Sequence, residues 1–414
     1  MPIRQTILWR QPDFRDFWTG WSVSQLGSQV TFFALQLVAL RLLGASAFQV
    51  GVLAALGYAA WLVVGLPAGV WVDRIQRRPL LIAADVGRAL LIGSVPVTAV
   101  MGWLTLEQLY VVAALTGVLT VLFDIAEPAY LPSLVPQDDI VRANGLLQAS
   151  RSTATVGGPA LAGLLVRAFG APVALVGDAV SYVVSAGFLM RIRVREVVPV
   201  RTKRHLRREL GEGLLLVYAD PLLRTLAVAA ALANFLFAGT EALLIVFLDR
   251  TVGVSAGVIG LLLAVGGVGG LVGGLVSGPL AGRMGAGRAL LVAVTAMLPA
   301  RLLLPLTGTG ALLLVFVAGV FVFGVSVVVF NVNVASFIQT AAPSNLLGRV
   351  IASIRFLSRG VLPAGALAGG ALGSWIGVRP ALWTLAAAMS LILLWLLTSP
   401  LRTMRDLPAA VEPR

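Results

Sequence analysis

Two carboxylates, Asp178 and Glu241, stand inside long apolar runs, and four arginines, Arg88, Arg151, Arg355 and Arg359, share that setting. An ionisable group in hydrocarbon is costly, so such residues face a polar interior, pair with one another or mark an ion path. A carboxylate placed there can load and release a proton, which makes Asp178 or Glu241 a candidate carrier of a coupling proton. The plainer alternative is a fixed pair between each acid and an intramembrane arginine. Arg151 can hold an anionic group of a ligand, or it can neutralise Asp124 or Glu127 in the stretch from Phe123 to Tyr130.

Much other chemistry lacks its residues. Cysteine is absent and His205 is the single histidine. That leaves no disulfide framework, no thiolate metal site and no base for a Ser-His-Asp triad. The glycines between Gly266 and Gly278 lack the Gly-Lys-Ser/Thr ending of a phosphate-cradling loop. Several stand four apart, the spacing of close helix contact, so they are read as packing positions and no nucleotide is expected.

The elements that must position these residues are helices in lipid. Of 414 residues, 58% are hydrophobic and only 12% charged, about half the charged share of a soluble domain. Lipid must therefore solvate most of the chain. Roughly 20 apolar residues cross the ~30 Å hydrocarbon core, and only helices or closed barrels satisfy their backbones there. The runs here are far longer than the roughly 10-residue strands of a barrel. They predict twelve transmembrane helices, from Trp18–Leu40 to Pro380–Leu397. Residues 1–190 form one six-helix bundle, 191–222 a basic linker, 223–398 a second bundle and 399–414 a tail. The polar start of the chain lacks the features of a cleaved leader, so the first span is expected to stay as an anchor.

The net charge of +13 has a topological reading. Basic residues crowd the N-terminus, the loop Arg74, Arg77 and Arg78, the linker and the C-terminal tail. The opposite ends hold Arg41, Arg167, Arg250 and Arg379. The positive-inside rule then places both termini in the cytoplasm, and nucleic acid is not needed to explain the charge. The linker around Arg201 to Arg208 can also touch anionic lipid. Polar candidates for an interior cavity are Gln25 and Gln29 in span 1, Asn234 in span 7, and one of Asn331 and Asn333 in span 10.

The two halves echo each other. Gly69-Val-Trp-Val-Asp73-Arg74 after span 2 matches Gly278-Pro-Leu-Ala-Gly282-Arg283 after span 8, at an offset of 209. Pro136 to Arg142 before span 5 matches Pro343 to Arg349 before span 11, at an offset of 207. A duplicated bundle of this kind suits a transporter whose halves rock about a central path.

The loop Gly69-x-x-x-Asp73-Arg74-x-x-Arg77-Arg78 resembles the signature of the major facilitator superfamily, departing from it at Gln76, where that family has glycine. Gly282 replaces the aspartate in the second copy. Ala154-Thr-Val-Gly157-Gly158-Pro159-Ala-Leu-Ala-Gly163 resembles the antiporter motif of the superfamily's drug-efflux branches, with Ala154 and Ala162 in place of glycines. Ser24 to Gly27, Gly65 to Arg74, Tyr130 to Pro136 and Asp178 to Tyr182 are similar to the macrolide-efflux and enterobactin-exporter-like branch. The resemblance implies an all-α, twelve-span fold and spans 1, 4, 7 and 10 around the path. It also implies a cytoplasmic latch formed by Asp73 and Arg77 with Asp124, with Arg74, Arg78 and Glu127 beside them. The function it implies is export of a lipophilic or amphipathic small molecule (drug, macrolide or siderophore) in exchange for protons, from a bacterial cytoplasmic membrane. The chain would act as a monomer with no cofactor beyond the proton gradient. A proton-coupled importer and a non-transporting sensor are the alternatives; no constellation for an enzyme is present.

Overall fold

A computed structural model of the chain describes residues 11–72, 74–194, 196, 206–341, 346–402 and 404. The latch residue Asp73 and the linker residues Arg201, Lys203, Arg204 and His205 lie outside the described residues. Among those described, the regular elements are helices and no strand occurs.

Among the described residues, ten helices are long and apolar enough to cross a membrane. They are span 1 (Pro12–Arg41), span 3 (Arg77–Val100), span 4 (Leu106–Leu134), span 6 (Ala171–Arg191) and span 7 (Pro221–Val252). Span 8 (Ala256–Met284), span 9 (Ala286–Leu306), span 10 (Gly310–Ala341), span 11 (Leu347–Trp375) and span 12 (Val378–Leu397) complete the ten. Two more complete the expected twelve. Span 2 is split into Ala47–Val63 and Gly65–Val72. Span 5, Ile140–Phe169, is 30 residues long, but its first half carries Arg142, Asn144, Gln148, Arg151 and Thr153, which dilute its hydropathy. A separate helix, Leu206–Ala219, occupies the linker. Span 7 starts where the Asp220 side chain accepts the amide protons of Leu222 and Leu223 at 2.8 and 2.9 Å. Pro221 follows at the first helical position, where its missing N–H costs nothing.

The chain packs as two units. The first is built on spans 1–6 and takes in residues 255–261 from the start of span 8; the second is built on spans 7–12 and takes in residues 46–55 at the start of span 2. Bare backbones explain both exchanges. In the first unit, a Cβ on Gly163 would lie 2.9 Å from the Gly260 Cα, and a Cβ on Gly260 equally close to the Gly163 Cα. In the second, a Cβ on Gly51 would lie 2.9 Å from the Gly370 Cα. Gly51 and Gly260 are 209 residues apart, and Gly163 and Gly370 are 207 apart. The offsets of the sequence repeat thus recur in the packing.

The same offsets govern the turns. Gly170 (φ 85°) and Gly377 (φ 92°) open spans 6 and 12 from a backbone region that side chains avoid. Gly285 does so before span 9, at φ 89°. Its counterpart before span 3 is Gln76, at φ −65° and ψ 128°. The departure from glycine there accompanies an ordinary extended turn.

The glycines of span 8 meet span 10. A Cβ on Gly273 would lie 2.6 Å from the Val325 carbonyl oxygen, and one on Gly266 would lie 2.8 Å from Val320 Cγ1. Gly274 and Gly278 have open space around them.

Candidate functional site

The first half buries a polar cluster between spans 1, 3, 4 and 6. Asp178 is 0% exposed, Asp85 0% and Arg88 3%. Arg88 pairs through Nη2 with Asp85 Oδ1, one helical turn earlier on span 3. Its guanidinium carbon lies 4.5 Å from the Phe123 ring centroid and 4.4 Å from that of Tyr182. Aromatic faces on both sides suit a cation removed from water. Asp178 accepts a hydrogen bond from Thr31 Oγ1 of span 1 and another, at 2.9 Å, from Ser181 Oγ. Tyr182 OH shares a 2.9 Å hydrogen bond with Ser28 Oγ. A Cβ at position 27 would collide with Asp178 Oδ1 and Ser181 Oγ, so Gly27 creates the space the carboxylate occupies. The stretches Ser24–Gly27 and Asp178–Tyr182 meet in this one cluster.

The second half buries a different arrangement. Arg301 of span 9 is 3% exposed and lies 3.9 Å from Glu241 of span 7, whose side chain is 24% exposed. The Arg301 guanidinium carbon is 3.5 Å from the Phe323 ring centroid, and Phe323 stacks on Phe237 at 6.4 Å and 6°. Arg301 Nε and Nη2 have no hydrogen-bond partner among the described residues. Each half therefore sets an arginine from its third span over a phenylalanine from its fourth.

The signature loop is held by the start of the linker. Arg77 donates its backbone N–H and Nη1 to the Glu196 carboxylate, each at 2.7 Å. Arg78 donates to the Leu189 and Met190 carbonyls at the end of span 6. Arg74 is exposed, Gly69 lies in the helix Gly65–Val72, and Asp124 is half-buried on span 4. Glu127 lies 3.6 Å from Arg151, whose guanidinium carbon is also 5.6 Å from the Trp21 ring centroid. Arg151 thus stands beside one of the two acids named for it from sequence.

The antiporter-like stretch packs tightly at Gly158 and Gly163. The Gln29 stem fills the place where a Cβ on Gly158 would stand, while Gly157 is open and Pro159 half-buried. Gln25 is half-buried; Asn234 donates to the Ala230 carbonyl. Asn331 is exposed whereas Asn333 is buried against the Val329 carbonyl, so the pair does divide between faces. Arg355 and Arg359 are exposed on the first, polar half of span 11. In the second unit, Glu212 of the linker helix pairs with Arg349 at the start of that span.

Asp85, Thr31, Arg301, Glu196 and Glu212 are not singled out by the sequence. The spacing Asp85-x-x-Arg88 inside an apolar helix is a usable signal, since i,i+3 neighbours touch. The others pair with residues distant in sequence, Arg301 with Glu241 of span 7 and the rest across more than a hundred residues, and have no local mark.

The family model described as Major Facilitator Superfamily matches residues 17–366. The chain is 27% identical over 406 residues to the multidrug efflux pump Tap of Mycolicibacterium fortuitum, covering 94% of this chain and 95% of that protein. It is 28% identical over 152 residues to macrolide efflux protein A of Streptococcus pyogenes, covering 37% of each. Among solved structures, the nucleoside transporter NupG superposes with a TM-score of 0.78 at 10% identity, covering 95% of this chain and 99% of that one. A bacterial homologue of the iron transporter ferroportin superposes with a TM-score of 0.73 at 19% identity, covering 93% and 98%. Those two likenesses concern the fold.

Proposed function

The chain belongs to the Major Facilitator Superfamily, and on that footing we propose that it exports lipophilic or amphipathic small molecules by alternating access, in exchange for protons. Membrane transport of a small molecule, rather than enzymatic conversion, follows from the family. The observation that carries the finer reading is the near full-length likeness to a protein named as a multidrug efflux pump. Carboxylates within spans of both halves support protons as the exchanged ion.

In this reading the protein works as a monomer in a bacterial cytoplasmic membrane with both termini inside, and no cofactor takes part. Gly69, Asp73, Arg74, Arg77 and Arg78 act with Asp124 as the cytoplasmic latch. The grip of Glu196 on Arg77 supports a structural demand on that loop. Gly158, Pro159 and Gly163 keep span 5 close to its neighbours, Gly157 completes the antiporter-like stretch, and Gln25, Gln29, Asn234 and Asn331 contribute polar groups along the path.

Expression in a bacterial strain stripped of its own efflux pumps provides the test. Cells loaded with a fluorescent lipophilic cation should lose it faster than vector controls, and a protonophore should abolish the difference. Equal loss with and without the protein, across a panel of drugs, macrolides and siderophores, would contradict export.

A further inference from the structure

We infer that the coupling proton is carried by Asp178, sealed between spans 1 and 6 of the first half, while Glu241 of the second half stays ionised against Arg301. The inference rests on the proton-exchange reading above and decides between its two candidate acids.

Charge balance makes the distinction. In the first half, Arg88 is closed by Asp85. Asp178 is fully buried and has no ion-pair partner among the described residues; its neighbours are the Thr31 and Ser181 hydroxyls. Arg88 also acts on Asp178, but Asp85 already matches its charge, so an ionised Asp178 is surplus negative charge in a buried site, and binding one proton removes it. The hydroxyl of Thr31 can donate to a carboxylate or accept from a carboxylic acid, so the pocket serves both forms without rebuilding the backbone. In the second half the count is different. Arg301 is buried with Glu241 as its acid neighbour, and protonating Glu241 would strand a guanidinium in an apolar interior.

The groups facing Asp178 are consistent with this. Span 3 presents the closed pair Asp85 and Arg88, and Asp124 of span 4 adds a further negative charge acting on Arg88. Its own helix presents Tyr182, and span 1 presents Gly27, Ser28 and Thr31, none of them basic. On span 5, Arg142 and Arg151 are engaged by Asp139 and Glu127, and Arg167 is exposed. Asp178 is buried where Gly27 of span 1 meets span 6, so in this assignment the proton enters and leaves as that seam opens. One proton binds the carboxylate from one side and leaves to the other in each cycle, with no other reactant. The proton and the cargo then meet through helix packing rather than by competing for one carboxylate.

Infrared difference spectra of the purified protein in lipid, taken between acid and alkaline pH, provide the test and need no cargo. The chain has 18 Asp and Glu residues, so several carboxylic-acid carbonyl bands titrate; one of them should vanish in Asp178→Asn and persist in Glu241→Gln. A spectrum that Asp178→Asn leaves unchanged, or one from which Glu241→Gln removes that band, overturns the assignment. If Asp178→Asn does not fold, Thr31→Val takes its place: losing the hydroxyl should move the band in frequency, and an unmoved band overturns the assignment equally. Failure of the export reading is registered separately, as absence of cargo movement by the wild type.

Discussion

Gly27 of span 1 stands against the carboxylate of Asp178 in span 6, in the space where any side chain would put its first carbon. Gly20, seven residues earlier, meets the same helix: a Cβ there would lie 3.1 Å from the Ser185 Cα and 3.0 Å from the Phe188 Cβ. Spans 1 and 6 are therefore fitted together by two glycines on one face, and the polar cluster is enclosed in that seam. Gly27→Ala should destabilise the protein by about 1–3 kcal/mol, the usual effect of overpacking, and Gly27→Leu by more. Thermal unfolding in detergent checks it; unchanged midpoints for both would show that the seam yields freely.

Glu241 and Arg301 form the second half's ion pair, with Arg301 buried and Glu241 partly open. Removing one partner leaves an uncompensated buried group, at a cost of about 3–5 kcal/mol. Arg301 is the deeper member, so Glu241→Gln should be the more damaging single change. The double variant Glu241→Gln/Arg301→Met should be more stable than Glu241→Gln alone. A double-mutant cycle on unfolding midpoints measures this, and simple additivity would contradict a direct pairing.

The Arg77–Glu196 pair is nearly closed to solvent, with side chains 9% and 5% exposed. Glu196→Gln should lower stability by about 3–5 kcal/mol by the same reasoning, and it should slow transport by loosening the signature loop. Glu212 and Arg349 are more open, at 36% and 38%. Breaking that pair should change stability by about 1 kcal/mol or less, with the effect fading at high salt. Parallel unfolding of Glu196→Gln and Glu212→Gln, at low and high salt, separates the two cases.

Gly285 and Gln76 occupy equivalent turns with different backbones. Gly285→Ala forces a side chain into a region that costs about 1–3 kcal/mol, whereas Gln76→Gly adds only chain entropy, about 1 kcal/mol or less. Unfolding midpoints should rank the two in that order. The reverse order would place the strain at residue 76.

The twelve spans, the repeat and the signature loop are legible in the sequence because lipid imposes length and hydropathy on each span separately. Span 5 shows the limit of that signal, since Arg142 and Arg151 make it read as less apolar than its neighbours. Asp178 and Glu241 stand out in sequence because charges are rare in apolar runs. What distinguishes them does not, because it lies in partners brought from elsewhere: Thr31 for the first and Arg301 for the second. Glu196 and Glu212 are hidden for another reason, lying in a linker dominated by positive charge. Local composition cannot show which arginine each acid grips.

Everted membrane vesicles give the most direct test of proton-driven export. A proton gradient is established and followed by fluorescence quenching while lipophilic drugs, macrolides and siderophores are added in turn. The account predicts that one of them partly collapses the gradient in wild-type vesicles. The same compound should have no effect with Asp178→Asn and a retained effect with Arg355→Ala. A wild type that moves a compound with no proton flux, or an Asp178→Asn variant that collapses the gradient as the wild type does, would contradict it.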